Sequence, residues 1–274
     1  MDNPPGCGEN KVNPLRLSLA DWCFRPPEAA AEAWFRQVRA MGYDGVELVP
    51  AERRQAALDA GLEIVSLAGP GMADGFSRRA NRAKLTDELK RLAGEASACG
   101  APYLVVFSGN RGGMSREEGF ENCREAFSRL LPELRGSGVK LLFEMLNSFD
   151  HKDYLADREA FGFELADALD DPDFLLLYDV YHMAKAGDDP YDSVPRHIDR
   201  IGHFHIAALE KRGFPAEGAA IDYRRLLLPV RETYTGFFGM EFLSGNPAED
   251  AAKAEKLFRS YAGTETVKEL RHSC

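Results

Sequence analysis

Cysteine is scarce and poorly spaced. The 274-residue chain has five, Cys7, Cys23, Cys99, Cys123 and Cys274, an odd number with no CxxC pair. That argues against a disulfide framework and a cysteine zinc site, and a reducing cytoplasm is the expected compartment. Positive charge is also short, with 34 Lys and Arg against 44 Asp and Glu and a net charge of −10. Such a surface repels nucleic acid. No segment approaches the ~20 apolar residues that cross a bilayer, so no membrane partner is expected. The opening MDNPPGCGENKVNP is polar and rich in Pro and Gly, without the apolar stretch of a signal peptide. No GxGxxG or GxxxxGKS/T stands near a strand-like run, which argues against a doubly wound open sheet.

What remains is ordinary globular material, 45% hydrophobic and 28% charged, in a length that α/β barrels use as a single domain. Eight strand-like runs recur, at 15–20, 45–49, 62–68, 102–108, 140–146, 174–180, 201–207 and 237–243. Most are continuous apolar runs, the mark of parallel strands covered on both faces. Amphipathic helices lie between them. Leu85, Leu89, Leu92, Ala96 and Cys99 share one face of 79–99, and Phe120, Cys123, Phe127, Leu130 and Leu134 share one face of 116–137. Ser115 and Glu118 form a capping box, and Gly42, Gly100 and Gly138 stand where helices should stop. The helices after the second and sixth strands look short. Eight β-then-α units predict a (β/α)8 TIM barrel over 14–262, with a tail at 1–13 and another at 263–274.

In such barrels the chemistry lies at the carboxyl ends of the strands. Strand five ends with Glu144, strand six with Asp179 and His182, strand seven with His203 and His205, and strand eight with Glu241. Taken singly, each is as well read as a cap, a salt-bridge partner or a hydrogen-bonded core residue. Four successive strands carrying ionisable residues at one end argue for a shared site. Three crowded carboxylates would each resist ionisation unless a cation stood among them. Glu, Asp, Glu and one His suit Mn2+, Mg2+ or Co2+, with catalytic Zn2+ also allowed. His203 and His205 point the same way, and we assign the deeper position, a core histidine, to His203.

The stretches DWCF (21–24), GYDGVELVP (42–50), FSGNRGGMSREEGFENC (107–123), EMLNS (144–148), LLYDVYHM (176–183), IGHFHIA (201–207) and YTGFFGMEF (234–242) resemble the sugar isomerase/epimerase superfamily of xylose-isomerase-like barrels. Within it they resemble the hydroxypyruvate isomerase-like group. The resemblance runs from about Leu15 to Tyr261. It implies a divalent metal held by Glu144, Asp179, His205 and Glu241, with His182 and Arg212 contacting substrate. Departures lie in the loops: EKRGFP follows strand seven, Ala184 follows YHM, and NRGGMS stands after strand four. They bear on the substrate more than on the reaction class.

The resemblance implies aldose–ketose isomerisation of a small hydroxy-oxo acid or sugar through an enediolate, with Glu144 and Glu241 as the proton-transfer pair. The same centre also permits epimerase, dehydratase or lyase chemistry on a keto-sugar or keto-inositol. Arg212 either holds a substrate carboxylate or is a solvated loop charge. Glu47 either lines the pocket or pairs with a nearby cation, and Trp22 and Phe24 either wall the substrate or close the barrel mouth. We place Glu47 and Trp22 with His182 and Arg212 as substrate contacts. Asn110 and Arg111 stand at the same end, without a further signal. An endonuclease-IV-like barrel would need three zinc ions and many His ligands, whereas this chain has six His. A non-catalytic sugar-binding or protein-binding barrel is disfavoured by the intact ligand set. Barrels of this kind are often homo-oligomers, but no stretch of this sequence marks an interface.

Overall fold

The computed structural model describes residues 15–26 and 30–263. The tails expected at 1–13 and 263–274 fall outside these residues, except that Gly263 ends the last helix. The strands are β1 (Arg16–Ala20), β2 (Gly45–Glu47), β3 (Glu63–Ile64), β4 (Ser66–Ala68), β5 (Tyr103–Phe107), β6 (Lys140–Glu144), β7 (Phe174–Asp179), β8 (Ile201–Ile206) and β9 (Phe237–Met240). All pairings are parallel, in the order β3-β2-β1-β9-β8-β7-β6-β5-β4.

The two ends of that order are neighbours in sequence, so the sheet closes on itself. The single run expected at 62–68 breaks at Val65, where the chain leaves β2 for β5. Val65 N donates to Val46 O at 2.9 Å, and Leu48 N donates to Ser66 O at 3.0 Å across the seam. The result is the expected barrel with its third strand broken in two. A strand shared between two neighbours must bend to serve both.

Ten α-helices lie among the described residues: α1 (Asp21–Phe24), α2 (Ala31–Met41), α3 (Ala51–Asp59), α4 (Arg82–Ala98), α5 (Arg116–Leu134), α6 (Glu159–Leu169), α7 (Val180–Ala186), α8 (Pro190–Arg196), α9 (Tyr223–Leu227) and α10 (Pro247–Gly263). Most of the predicted faces are buried, Leu85, Leu89, Leu92 and Ala96 of α4 and Cys123, Phe127, Leu130 and Leu134 of α5, while Cys99, just past α4, and Phe120 are half-buried. Ser115 Oγ accepts from Glu118 N at 3.1 Å, the first half of the expected capping box. Gly42 ends α2 in the left-handed conformation at φ +108°, where a side chain would be strained.

The layer between sheet and helices is aromatic. Phe127 of α5 packs against Phe143 of β6 and Phe174 of β7, with ring centroids 5.8 and 5.0 Å apart. Phe143 also stacks on Phe161 of α6. Burial of each such ring contributes about 1.5–3 kcal/mol. Phe143 faces outward, so its neighbour Glu144 faces the barrel axis, because strand side chains alternate. That alternation aims the ionisable residues at the mouth. Among the described residues no helix is long and apolar enough to cross a membrane.

Candidate metal centre and active site

Parallel register assembles the site. β7 and β8 pair Asp179 directly with His205. Glu144 ends β6 on one flank of that pair, and Glu241 follows β9 on the other. The four residues are all buried, and each offers a ligand atom within 4.8 Å of the other three. Every member of the predicted ligand set is therefore present in one cluster.

Asp179 does two jobs. Its Oδ1 accepts from His182 N at 3.0 Å and caps α7. Its Oδ2 turns to the cluster, 3.1 Å from Arg212 Nη2. The three-residue spacing from Asp179 to His182 is thus a helix-capping distance as well as a functional one. Burial raises the Asp179 pKa to about 6 against the pull of Arg212. Glu241 goes the other way. Its Oε1 accepts from Trp22 Nε1 at 2.9 Å, and its Oε2 meets Arg212 Nη2 and His205 Nδ1. These partners outweigh burial and hold Glu241 at about 2. Glu144 is tied more loosely, with His205 Nδ1 3.7 Å away.

The donor chemistry fits a divalent cation. His205 Nδ1 lies 2.8 Å from Glu241 Oε2 without hydrogen-bond geometry, while its Nε2 faces Glu47. A buried ring nitrogen aimed at carboxylate oxygens requires positive charge between them, carried by a proton or by a metal ion. Burial lowers the His205 pKa, yet Glu241 and Glu47 overcome it and hold the group well above its ordinary value.

A cavity of about 490 Å³ opens above the cluster. Glu144, Glu241, His182, Arg212 and Trp22 line it, as expected, and so does His151. The facing wall, from the strands β2 to β5 and the loops after them, is apolar: Leu48, Ala68, Met72, Val105 and Phe107. Arg212 reaches in from the loop after β8 with φ +52°, a left-handed backbone uncommon outside glycine and a frequent mark of functional loops. Its guanidinium also lies over the rings of Trp22 and Tyr181.

His182 Nδ1 accepts from Asn147 N at 3.2 Å, and its Nε2 lies 3.2 Å from Arg212 Nη1. Burial and Arg212 lower its pKa to about 3, so the ring is neutral. Asn147 and His151 are functional candidates that sequence reading passed over. Both sit in the loop after β6, where polarity alone carries no signal.

Glu47 differs from expectation. It is fully buried and absent from the cavity wall. Its carboxylate bonds His203 Nε2, Ser18 Oγ and His205 Nε2. The interior of the barrel, not substrate, surrounds it. Burial raises its pKa, but the two histidines prevail and hold it well below the carboxylate range. Phe24 is also buried, edge-on to Phe242, and so closes the barrel rather than facing substrate. Arg111 pairs with Asp157, and neither Asn110 nor Arg111 lines the cavity.

The xylose isomerase-like TIM barrel family profile matches residues 35–261. The chain belongs to that family. Two curated relatives fall within the expected group: hydroxypyruvate isomerase of Escherichia coli K12, 29% identical over 123 residues, and 2-oxo-tetronate isomerase of Pectobacterium atrosepticum, 29% identical over 132 residues. These matches cover 44% and 47% of this chain and 46% and 48% of those proteins, so the chain spans about half the length of the curated relatives it matches. Among solved structures, an L-ribulose 3-epimerase superposes with TM-score 0.79 at 17% identity, covering 95% of this chain and 98% of that one. A family 2 AP endonuclease from Brucella melitensis gives 0.77 at 20%, covering 92% and 100%. At these identities the likeness is one of fold.

Proposed function

We propose that this barrel is a divalent-metal-dependent isomerase acting on a small hydroxy-oxo acid or sugar. The observation that carries the reading is the buried cluster of Glu144, Asp179, His205 and Glu241 at the floor of the cavity. The oxygen-rich set favours Mn2+, Mg2+ or Co2+ and tolerates Zn2+. Bound there, such an ion supplies Lewis acidity that polarises a carbonyl and acidifies the carbon beside it.

The rest of the chemistry belongs to the side chains. Glu144, the less tied carboxylate, takes the proton from the carbon beside the carbonyl. Glu241 faces the substrate from the other flank and serves as its partner in proton transfer. Arg212 lies next to His182, 3.2 Å from its Nε2, and the two hold a substrate carboxylate or hydroxyl, for which a guanidinium is suited. The apolar wall packs against the carbon face and excludes water. Return of the proton to the neighbouring carbon, with the hydroxyl proton passing to the former carbonyl oxygen, isomerises the substrate.

A second reading, epimerisation, has its own support. Glu144 and Glu241 flank the β7–β8 pair from opposite sides, which suits removal of a proton from one face and return to the other. Epimerase structures also share the fold across nearly the whole chain. Dehydratase or lyase chemistry on a keto-sugar or keto-inositol would use the same first step.

The test is α-proton exchange. Metal-loaded protein is incubated in D2O with hydroxypyruvate, four-carbon hydroxy-oxo acids and free ketoses, and deuterium uptake is followed by NMR. Exchange that vanishes on chelation supports the reading, and the product separates isomerisation from epimerisation. Loaded protein that exchanges no substrate in the panel would overturn it in favour of a binding role.

A further inference from the structure

TIM-barrel interiors are packed mainly with branched apolar side chains. Below its metal cluster this barrel instead holds a carboxylate and an imidazole, Glu47 and His203, both with no exposed surface. A polar pair in such a place stabilises a fold no better than well-packed apolar residues would. Its presence calls for a role other than filling.

Glu47 is held from three sides. Its Oε1 accepts from Ser18 Oγ at 3.0 Å. Its Oε2 is in direct contact with His203 Nε2 and lies 3.3 Å from His205 Nε2. The opposite nitrogen of His205 faces Glu144 and Glu241. The two histidine rings meet edge to face, with centroids 5.2 Å apart and planes 85° apart, so His203 also blocks rotation of His205. Room for this arrangement is kept by Gly239, where an added Cβ would fall 2.0 Å from Glu47 Oε1 and 2.8 Å from His203 Nε2.

We propose that Glu47 and His203 are positioning residues that clamp His205, keeping the proton on its Nε2 and its Nδ1 lone pair aimed into the metal cluster. The proposal rests on the metal-centre reading above. An imidazole that donates one N–H to a carboxylate presents the other nitrogen in a single tautomer and orientation, which strengthens its binding to a metal. Glu47, His203 and His205 also have the residue types and spacing of a second metal site. Against that, Glu47 and His203 are fully buried and neither lines the cavity.

Calorimetric titration of the full chain with Mn2+ and Co2+ tests the clamp. Wild type should bind one ion per chain. Glu47→Gln keeps the shape but removes the charge, and it should weaken binding about 10- to 100-fold. The visible spectrum of its Co2+ form should change with it. Ser18→Ala removes one hydrogen bond to Glu47 without touching the histidines and should weaken binding about threefold. It also carries the test should Glu47→Gln fail to fold. In the Zn2+-loaded form, nitrogen NMR should find His205 protonated on Nε2 in wild type and less uniformly so in the variants.

Wild-type affinity in a folded Glu47→Gln, with only a lower thermal midpoint, would reduce the pair to core structure and overturn the clamp. Two ions per chain, one of them lost with Glu47, would replace it with a second metal site. Failure of wild type to bind any divalent ion would overturn the metal-centre reading itself, and the clamp with it.

Discussion

Arg212→Met removes the guanidinium that sits among the site carboxylates and keeps most of its stem. In the metal-free protein, Arg212 Nη2 lies 3.1 Å from Asp179 Oδ2 and bonds Glu241 Oε2. Truncating one partner of a buried charge pair costs about 3–5 kcal/mol. Arg212 retains 16% of its side-chain exposure, which puts the loss at the lower end, about 3 kcal/mol. Asp179, already at about 6, can take up a proton at neutral pH once Arg212 is gone, which limits the loss further. For a domain of this size each kcal/mol moves the thermal midpoint by about 2–4 °C, so chelator-treated Arg212→Met should melt below wild type by at most about 6–12 °C. A bound divalent cation supplies the missing charge. In saturating Mn2+ the deficit should fall to less than about half. Paired thermal melts with chelator and with Mn2+ decide the matter. An unchanged metal-free midpoint, or an equal deficit in both conditions, would refute the electrostatic reasoning and leave Arg212 a loop charge.

Other expectations follow from the same geometry. Glu241→Gln should keep the far-UV spectrum, weaken Mn2+ binding, and lower α-proton exchange at least about 100-fold, the scale of one lost acid–base group; wild-type exchange would remove Glu241 from proton transfer. Tyr154→Phe strands a buried pair, because the Tyr154 hydroxyl donates to Glu144 O and accepts from Ser108 N. Denaturant unfolding should show a loss of about 1–3 kcal/mol, and no loss would mean that water replaces the hydroxyl. Burial raises the Glu159 pKa above 4.5 despite hydrogen bonds from Tyr178 and Ser193. A raised carboxyl contributes stability below its unfolded value and loses it as pH rises through the folded one. Glu159→Gln should therefore gain on wild type as pH rises above about 4.5, and a stability difference that does not change with pH would contradict the assignment.

Much of the architecture was legible along the chain. Continuous apolar runs alternating with amphipathic helices encode parallel strands between covering helices, because each element carries its own burial pattern. The break at Val65 was not legible, since 62–68 reads as one uniform run and divides only because it must serve two neighbouring strands. The candidate cluster was legible for a similar reason. A carboxylate or imidazole closing an apolar strand leaves a local mark at Glu144, Asp179, His205 and Glu241.

By itself, then, the chain determined its elements, their order, and which strand ends carry charge. Closure of the barrel decided the rest. Trp22 meets Glu241 across 219 residues of sequence, and Glu47 meets His203 across 156. Glu47 resembled a pocket residue because it ends a strand, yet its carboxylate bonds Ser18, His203 and His205 inside the barrel instead of lining the cavity. Arg212, Asn147 and His151 lie in loops whose composition says nothing about direction, and their places depend on how the chain turns back over the mouth. Depth within a barrel and the aim of a loop are properties of contacts between distant residues, and no local pattern of burial records them.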